Sequence, residues 1–125
     1  MHMSWLGKWR NQYGSILDIT DESHHKIVAT FRTALGDSTF AGQDIAMIGA
    51  HQGDCIGMAG GGPTPVGDVL VTYTGLLREG KLQTLWYVVA DSSSTAEEHA
   101  GGPQPKKVGW WRAVMTNADT FERIA

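Results

Sequence analysis

Val69-Leu70-Val71-Thr72-Tyr73-Thr74, then Arg78-Glu79-Gly80-Lys81, then Leu82-Gln83-Thr84-Leu85-Trp86-Tyr87-Val88-Val89: two runs of β-branched and aromatic residues flank a short polar connection. Such residues suit the pleated surface of a strand. A connection that short brings the second run back antiparallel to the first. The arrangement recurs along the chain, with short connections at Asp21-Glu22-Ser23-His24, Leu35-Gly36-Asp37-Ser38 and Gln52-Gly53-Asp54. Helix signals are thin, and 16 glycines punctuate the sequence. The segments between them predict eight strands, at about 8–13, 15–21, 25–33, 42–51, 54–60, 67–77, 81–91 and 109–123. Eight sequential antiparallel strands are best satisfied by closing on themselves, which removes exposed edges. The fold class is therefore all-β, an eight-stranded antiparallel up-and-down β-barrel, whose interior holds side chains or one small ligand. Two stretches stand apart. Gly60-Gly61-Gly62-Pro63-Thr64-Pro65 is too glycine-rich for a stiff strand, and Ser92 through Pro105 reads as a long polar loop of the kind that is functional or mobile.

A length of 125 residues fits one domain, over residues 4–125, with room for a real core. Hydrophobic residues make up 42%, which argues against disorder. The net charge of −3, from 10 basic and 13 acidic residues, gives no electrostatic footprint for nucleic acid or anionic membrane. No apolar run reaches the length of a membrane span. Met1-His2-Met3 reads like an added start, which leaves room for a removed leader. Cys55 is alone and reads as a small buried hydrophobe. His24-His25 are neighbours whose side chains would diverge in a strand, so a solvated turn outweighs a metal site. No metal-ligand spacing, nucleophile turn or phosphate loop is present, so the residues call for no metal and no cofactor.

The N-terminal stretch Trp9-Arg10-Asn11-Gln12-Tyr13-Gly14-Ser15 carries chemistry. In a strand Trp9, Asn11 and Tyr13 share a face, and Ser15 rejoins it after Gly14 relaxes the backbone. An aromatic wall beside an amide and a hydroxyl grips a small polar head group. Each element also has a plainer reading. The tryptophans could be core packing, Asn11 and Ser15 turn formers, and Asp119 a turn cap or a surface ion pair.

Trp9-x-Asn11-Gln12-x-Gly14-Ser15 resembles the first-strand signature of the avidin/streptavidin family of biotin-binding proteins. Thr30-Phe31-Arg32-Thr33-Ala34 with Gly36-Asp37, Gln83-Thr84-Leu85-Trp86, and Trp111 eight residues before Asp119-Thr120-Phe121 resemble further family segments, in the same order. The resemblance implies the following roles. Asn11 and Ser15 donate to the ureido oxygen of biotin, Thr33 accepts from one ureido N–H, and Asp119 accepts from the other. Residues of the Trp9 strand, Tyr13 among them, wall the ring with Trp86 and Val88, Tyr73 takes an aromatic slot, Trp111 covers the pocket of a neighbouring subunit, and the backbone around Asp37 meets the ligand carboxylate. The chain departs from the family pattern at four places. Phe31 replaces a tyrosine donor, and Val69 and Val71 replace hydroxyl residues. Met58 falls near a tryptophan slot, and the loop over about 92–108 is lengthened. A one-residue slip in 67–77 would turn Thr72 and Thr74 inward instead, and both registers stay open at this point.

The sequence therefore predicts non-catalytic binding of biotin or a biotin-like cyclic urea, weaker than in family members with the full residue set. An alternative is an avidin-like barrel for a different, more apolar small ligand. An enzyme using Asp119 as base and Tyr73 as acid ranks lowest. A homo-oligomer is expected, with a tetramer favoured over a dimer, through Trp110, Trp111 and the outward Leu76, Leu85, Tyr87 and Val89. The family resemblance implies a secreted or periplasmic location.

Overall fold

A computed structural model describes residues 4–34, 43–64, 67–94, 105–107 and 114–124. The strands are β1 (Gly7–Asn11), β2 (Ile16–Asp21), β3 (Lys26–Arg32), β4 (Asp44–Gln52), β5 (Cys55–Thr64), β6 (Gly67–Arg78), β7 (Lys81–Ala90), β8 (Ser92–Ser94), β9 (Pro105–Lys107) and β10 (Val114–Arg123). Eight of them close a barrel in the order β1-β10-β7-β6-β5-β4-β3-β2, every neighbouring pair antiparallel. The expected eight-stranded barrel is the fold found. Within the stretch read as one long polar loop, β8 and β9 pair as a separate two-stranded ribbon. Among the described residues no helix is long and apolar enough to cross a membrane.

In β5 the structure departs from the sequence expectation twice. The glycine run continues β5 instead of interrupting it, with Gly60 opposite Val71, Gly61 opposite Leu70 and Gly62 opposite Val69. The reason is close backbone approach: a Cβ on Gly60 would sit 2.2 Å from the Ala46 carbonyl oxygen, and one on Gly61 2.1 Å from that of Val69. Cys55 is exposed, not buried. It opens β5 one residue before the inward Ile56, so the strand's period of two turns it outward.

The same period fills the barrel. Leu17, Ile19, Ile27, Ala29, Ile45, Met47, Ile56, Met58, Leu82 and Phe121 are buried inside it. In β6 the inward residues are Val69, Val71 and Tyr73, while Thr74 is exposed and Thr72 half-buried on the outside. That burial settles the register left open by the sequence, in favour of the apolar face.

One end of the barrel is stoppered. Trp5 and Trp9 are fully buried, and the Trp9 indole donates to the Trp5 carbonyl at 3.0 Å. The Arg123 guanidinium lies 4.3 Å over the Trp9 ring and donates to the carbonyls of Leu6 and Ser4. Glu22 accepts from the Trp5 N–H at 3.0 Å and from the Ser4 hydroxyl. Burial pushes the Glu22 carboxyl up, but these two donors and nearby His51 outweigh it, so its pKa lies below the ordinary value. On the outer wall Ile48, Leu70, Leu85, Tyr87 and Val89 are exposed and Leu76 is half-buried.

Candidate functional site

At the other end the chain leaves β1 at Asn11 and turns through Gln12, Tyr13 and Gly14, not at Tyr13 as the strand reading had it. Asn11 builds this turn. Its Oδ1 accepts the backbone N–H of Tyr13 at 3.0 Å and of Ser15 at 2.9 Å. Its own carbonyl accepts from the Gly14 N–H at 3.0 Å, and Gly14 takes the positive φ of 90° that the reversal requires. The turn-forming reading of Asn11 is thus correct. It does not exhaust the residue, because the amide nitrogen remains for another partner.

That partner is Asp119 on β10. Asn11 Nδ2 donates to Asp119 Oδ2 at 3.3 Å. Gln12 Nε2 donates to Asp119 Oδ1 at 3.2 Å, and Gln12 Oε1 accepts the Thr120 N–H at 3.1 Å. The Thr84 hydroxyl donates to the Asp119 carbonyl at 3.0 Å. Asp119 is buried, and among the described residues no cation pairs with it. Two amide donors are what replace its water. Gln12 was not among the expected site residues. By strand periodicity it faces away from Asn11, and only the end of β1 lets its side chain fold back onto β10.

Ser15 is buried beside this group, and its Oγ accepts the Ala34 N–H at 2.8 Å. The hydroxyl hydrogen of Ser15 is then free to donate into the space in front of it. Phe31 and Thr33 come from β3 and its end, Val71 and Tyr73 from β6, and Trp86 and Val88 from β7. Together with Asn11, Tyr13, Ser15 and Asp119 they line one cavity of about 130 Å³. Tyr13 is half exposed and forms its rim. The Tyr73 ring packs against Phe31, with centroids 5.6 Å apart, and edge-on to Phe121 at 6.0 Å. Burial, and secondarily the charge of Asp119, push the Tyr73 phenol well above its ordinary range, so it stays protonated. Asp37 and Trp111 lie outside the described residues. Of the twelve residues singled out in the sequence, the other ten meet at this one cavity.

A wider concavity of about 740 Å³ runs over the outer wall, past Thr74, Leu76, Gln83 and Leu85 toward His25 and His51. It holds no converging set of buried polar side chains comparable to that around Asp119. The His25 and His51 rings lie 5.5 Å apart there, but no group of three or more potential ligands that could hold a metal occurs among the described residues.

No family model matches the sequence, and no curated protein sequence matches it. Solved structures do match. Apo shwanavidin is 17% identical, with a TM-score of 0.73 over 100% of both chains. The bradavidin2–biotin complex is 15% identical, with a TM-score of 0.71 over 98% of this chain and 100% of that one. The rhizavidin–biotin complex is 17% identical, with a TM-score of 0.71 over 98% of this chain and 93% of that one. By topology, closure and superposition, the fold of this chain is the avidin-type eight-stranded barrel that its strand motifs implied.

Proposed function

We propose that this chain is a divergent member of the avidin/streptavidin family that binds biotin, or a biotin-like cyclic urea, without catalysis. The observation that carries the reading is the buried cluster of Asn11, Ser15 and Asp119 at one end of a cavity otherwise walled by Phe31, Val71, Tyr73, Trp86 and Val88. A cyclic urea presents a carbonyl flanked by two N–H groups. Asn11 Nδ2 and the Ser15 hydroxyl offer donors for the oxygen, and Asp119 and Thr33 offer acceptors for the N–H groups. Two of the solved neighbours, bradavidin2 and rhizavidin, are biotin complexes. The cavity is smaller than the roughly 300–1,000 Å³ usual for drug-sized ligands. It suits a compact ring.

Binding is weaker than in a site with a full polar complement. Phe31 and Val71 line the cavity with apolar groups where, by the family resemblance, hydroxyls would pair the ligand, at about 1 kcal/mol per missing hydrogen bond. The same apolar wall favours a second reading, an uncharged and more hydrophobic ligand in the same barrel. An acid–base enzyme built on Asp119 and Tyr73 fits less well. A phenol held so firmly protonated is a poor proton donor near neutrality.

Titration calorimetry of biotin into wild type and Asp119→Asn tests the assignment. Saturable binding near one per chain, lost or strongly weakened in the variant, supports it. No heat and no thermal shift with biotin, but a shift with an uncharged hydrophobic analogue, replaces it with the second reading. A homo-oligomer, tetramer rather than dimer, is proposed to cover Leu70, Leu85, Tyr87 and Val89. A monomeric mass by light scattering at micromolar concentration would refute that part.

A further inference from the structure

Tyr73 is the one buried polar side chain of the described cavity lining that makes no hydrogen bond to another protein group. Asn11 is committed to Tyr13, Ser15 and Asp119. Ser15 takes the Ala34 N–H, and Asp119 takes two amides. Thr33 is also engaged. Tyr73 is only 5% exposed, yet its oxygen is not sealed off: the indole nitrogen of Trp5 is the only fully enclosed polar side-chain atom without a partner among the described residues. The phenol oxygen thus keeps some accessible surface, Tyr73 lines the cavity, and the phenol feels the charge of Asp119, which lines it too.

With no protein acceptor in reach, the hydroxyl is left to donate to whatever occupies the cavity, water in the free protein or a ligand that displaces it. The ring cannot swing away to find water, because Phe31 packs on one side and Phe121 meets it edge-on. The hydroxyl is held protonated, which makes it a donor over the whole ordinary pH range. Tyr73 on β6 and Asp119 on β10 flank β7, so a fixed donor and a fixed acceptor look into one space.

Resting on the cyclic-urea reading above, we propose that Tyr73 is a specificity-determining residue that donates a hydrogen bond from its hydroxyl to the ligand carbonyl oxygen, while Asp119 accepts from the adjacent N–H. The pair selects a ring carrying N–H beside C=O. It discriminates against rings of the same shape whose oxygen is replaced by a weak acceptor.

The test compares wild type and Tyr73→Phe, each with biotin and with the biotin analogue in which the ureido C=O is C=S. Loss of a donor predicts about tenfold weaker biotin binding in Tyr73→Phe. The thione analogue, a poor acceptor, should lose less than twofold. Equal losses for both ligands would make the hydroxyl a packing feature and overturn the proposal, as would unchanged biotin affinity. Failure of wild type to bind either ligand removes the cyclic-urea reading, and this proposal with it. Binding by wild type without the selective loss removes this proposal alone. A ligand-free arm is independent of both. Deleting a hydroxyl that has no partner in the fold should leave the melting temperature of Tyr73→Phe unchanged or higher. A clear drop would show that the hydroxyl is already satisfied within the protein, and would overturn the argument.

Discussion

Replacing Asn11 by alanine should cost much more stability than a polar residue at the end of a short strand usually does, and the components can be worked from the contacts. Asn11 Oδ1 holds two backbone N–H groups. That of Ser15 is buried, and leaving it bare costs about 1–2 kcal/mol. That of Tyr13 sits on a half-exposed turn, where water takes over, so its loss is about 0.5 kcal/mol or less. Asp119 loses one of its two side-chain donors, and a hydrogen bond to a buried charge is worth about 1.5 kcal/mol. The sum is about 3 kcal/mol, or a fall in melting temperature of roughly 10 °C for a chain of this size. Asn11→Asp separates the two jobs. It keeps the acceptor for the turn but sets a carboxylate against Asp119, where an amide now donates across 3.3 Å. Two carboxyls that close share a proton, so one has its folded-state pKa raised. Stability from a raised pKa is present at low pH and lost as pH rises through that value. Asn11→Asp should therefore be close to wild type near pH 4 and well below it at pH 7, whereas Asn11→Ala should be destabilised at both. Urea denaturation at the two pH values is the assay. A loss under 0.5 kcal/mol for Asn11→Ala, or a pH-independent Asn11→Asp, would refute the reasoning.

Three further outcomes follow from the same contacts. The carboxyl of Glu22 is held below its ordinary pKa, so its contribution is present above the unfolded value and lost as pH falls through the folded one. The melting-temperature gap between wild type and Glu22→Gln should be open at pH 7 and shrink as the pH falls through the lowered folded-state value. A gap that persists in acid would show that the carboxylate charge is not what matters. Gly61→Ala drives a Cβ to 2.1 Å from a backbone oxygen, whereas at Gly62 a Cβ meets nothing within 4 Å. The first should cost about 3 kcal/mol or more, and the second should be neutral or stabilising by about 0.5 kcal/mol. Equal effects on urea midpoints would mean that β5 does not approach β6 so closely. Leu85→Lys with Tyr87→Lys should lower the mass seen by light scattering without lowering biotin affinity per chain as much as Asp119→Asn does, since both residues face outward. An unchanged mass would show that Leu85 and Tyr87 do not form the proposed subunit contact.

The barrel was legible because its signals are local. Alternation along 67–77 and 81–91 and the polar turn between them need no knowledge of the rest of the chain, and the hairpin formed as read. The errors fall where the deciding fact belongs to a neighbour. Gly60 and Gly61 look like a flexible linker in sequence. Their reason is the Ala46 and Val69 carbonyls pressing from the adjoining strands. Cys55 was placed by the habits of its residue type, although the parity set by Ile56 already pointed it outward. Gln12 was passed over because period-two reasoning continues past Asn11, where the chain has turned. The slots of Asn11, Ser15, Phe31, Val71, Tyr73 and Asp119 came from spaced motifs. Their convergence on one cavity is a property of barrel closure, which brings β1 beside β10 across more than a hundred residues of chain.

Asn11, Ser15 and Asp119 at the polar end of the cavity are each held by hydrogen bonds within the fold, and on the proposed reading this sets what limits affinity. Asn11 is pinned by the turn it forms, Ser15 by the Ala34 N–H, and Asp119 by Asn11 and Gln12. On the proposed reading, a ligand that meets these groups pays little to order them, so any loss relative to a fully polar site comes from missing partners and not from looseness. Adding a partner on the rigid wall should then recover affinity efficiently. Val71 lines the cavity and is 4% exposed, on the same strand as Tyr73 and paired with Val88. Val71→Thr keeps the branched shape and adds a hydroxyl, at a stability cost of about 1–2 kcal/mol if that hydroxyl stays unpaired in the free protein. The bound state supplies the partner, so the cost should shrink when biotin is present and affinity should rise by severalfold. Thermal melts with and without biotin read both terms from one pair of proteins. If Val71→Thr loses as much stability with ligand as without it, the hydroxyl finds no partner on biotin, and the apolar wall is fitted to a different ring.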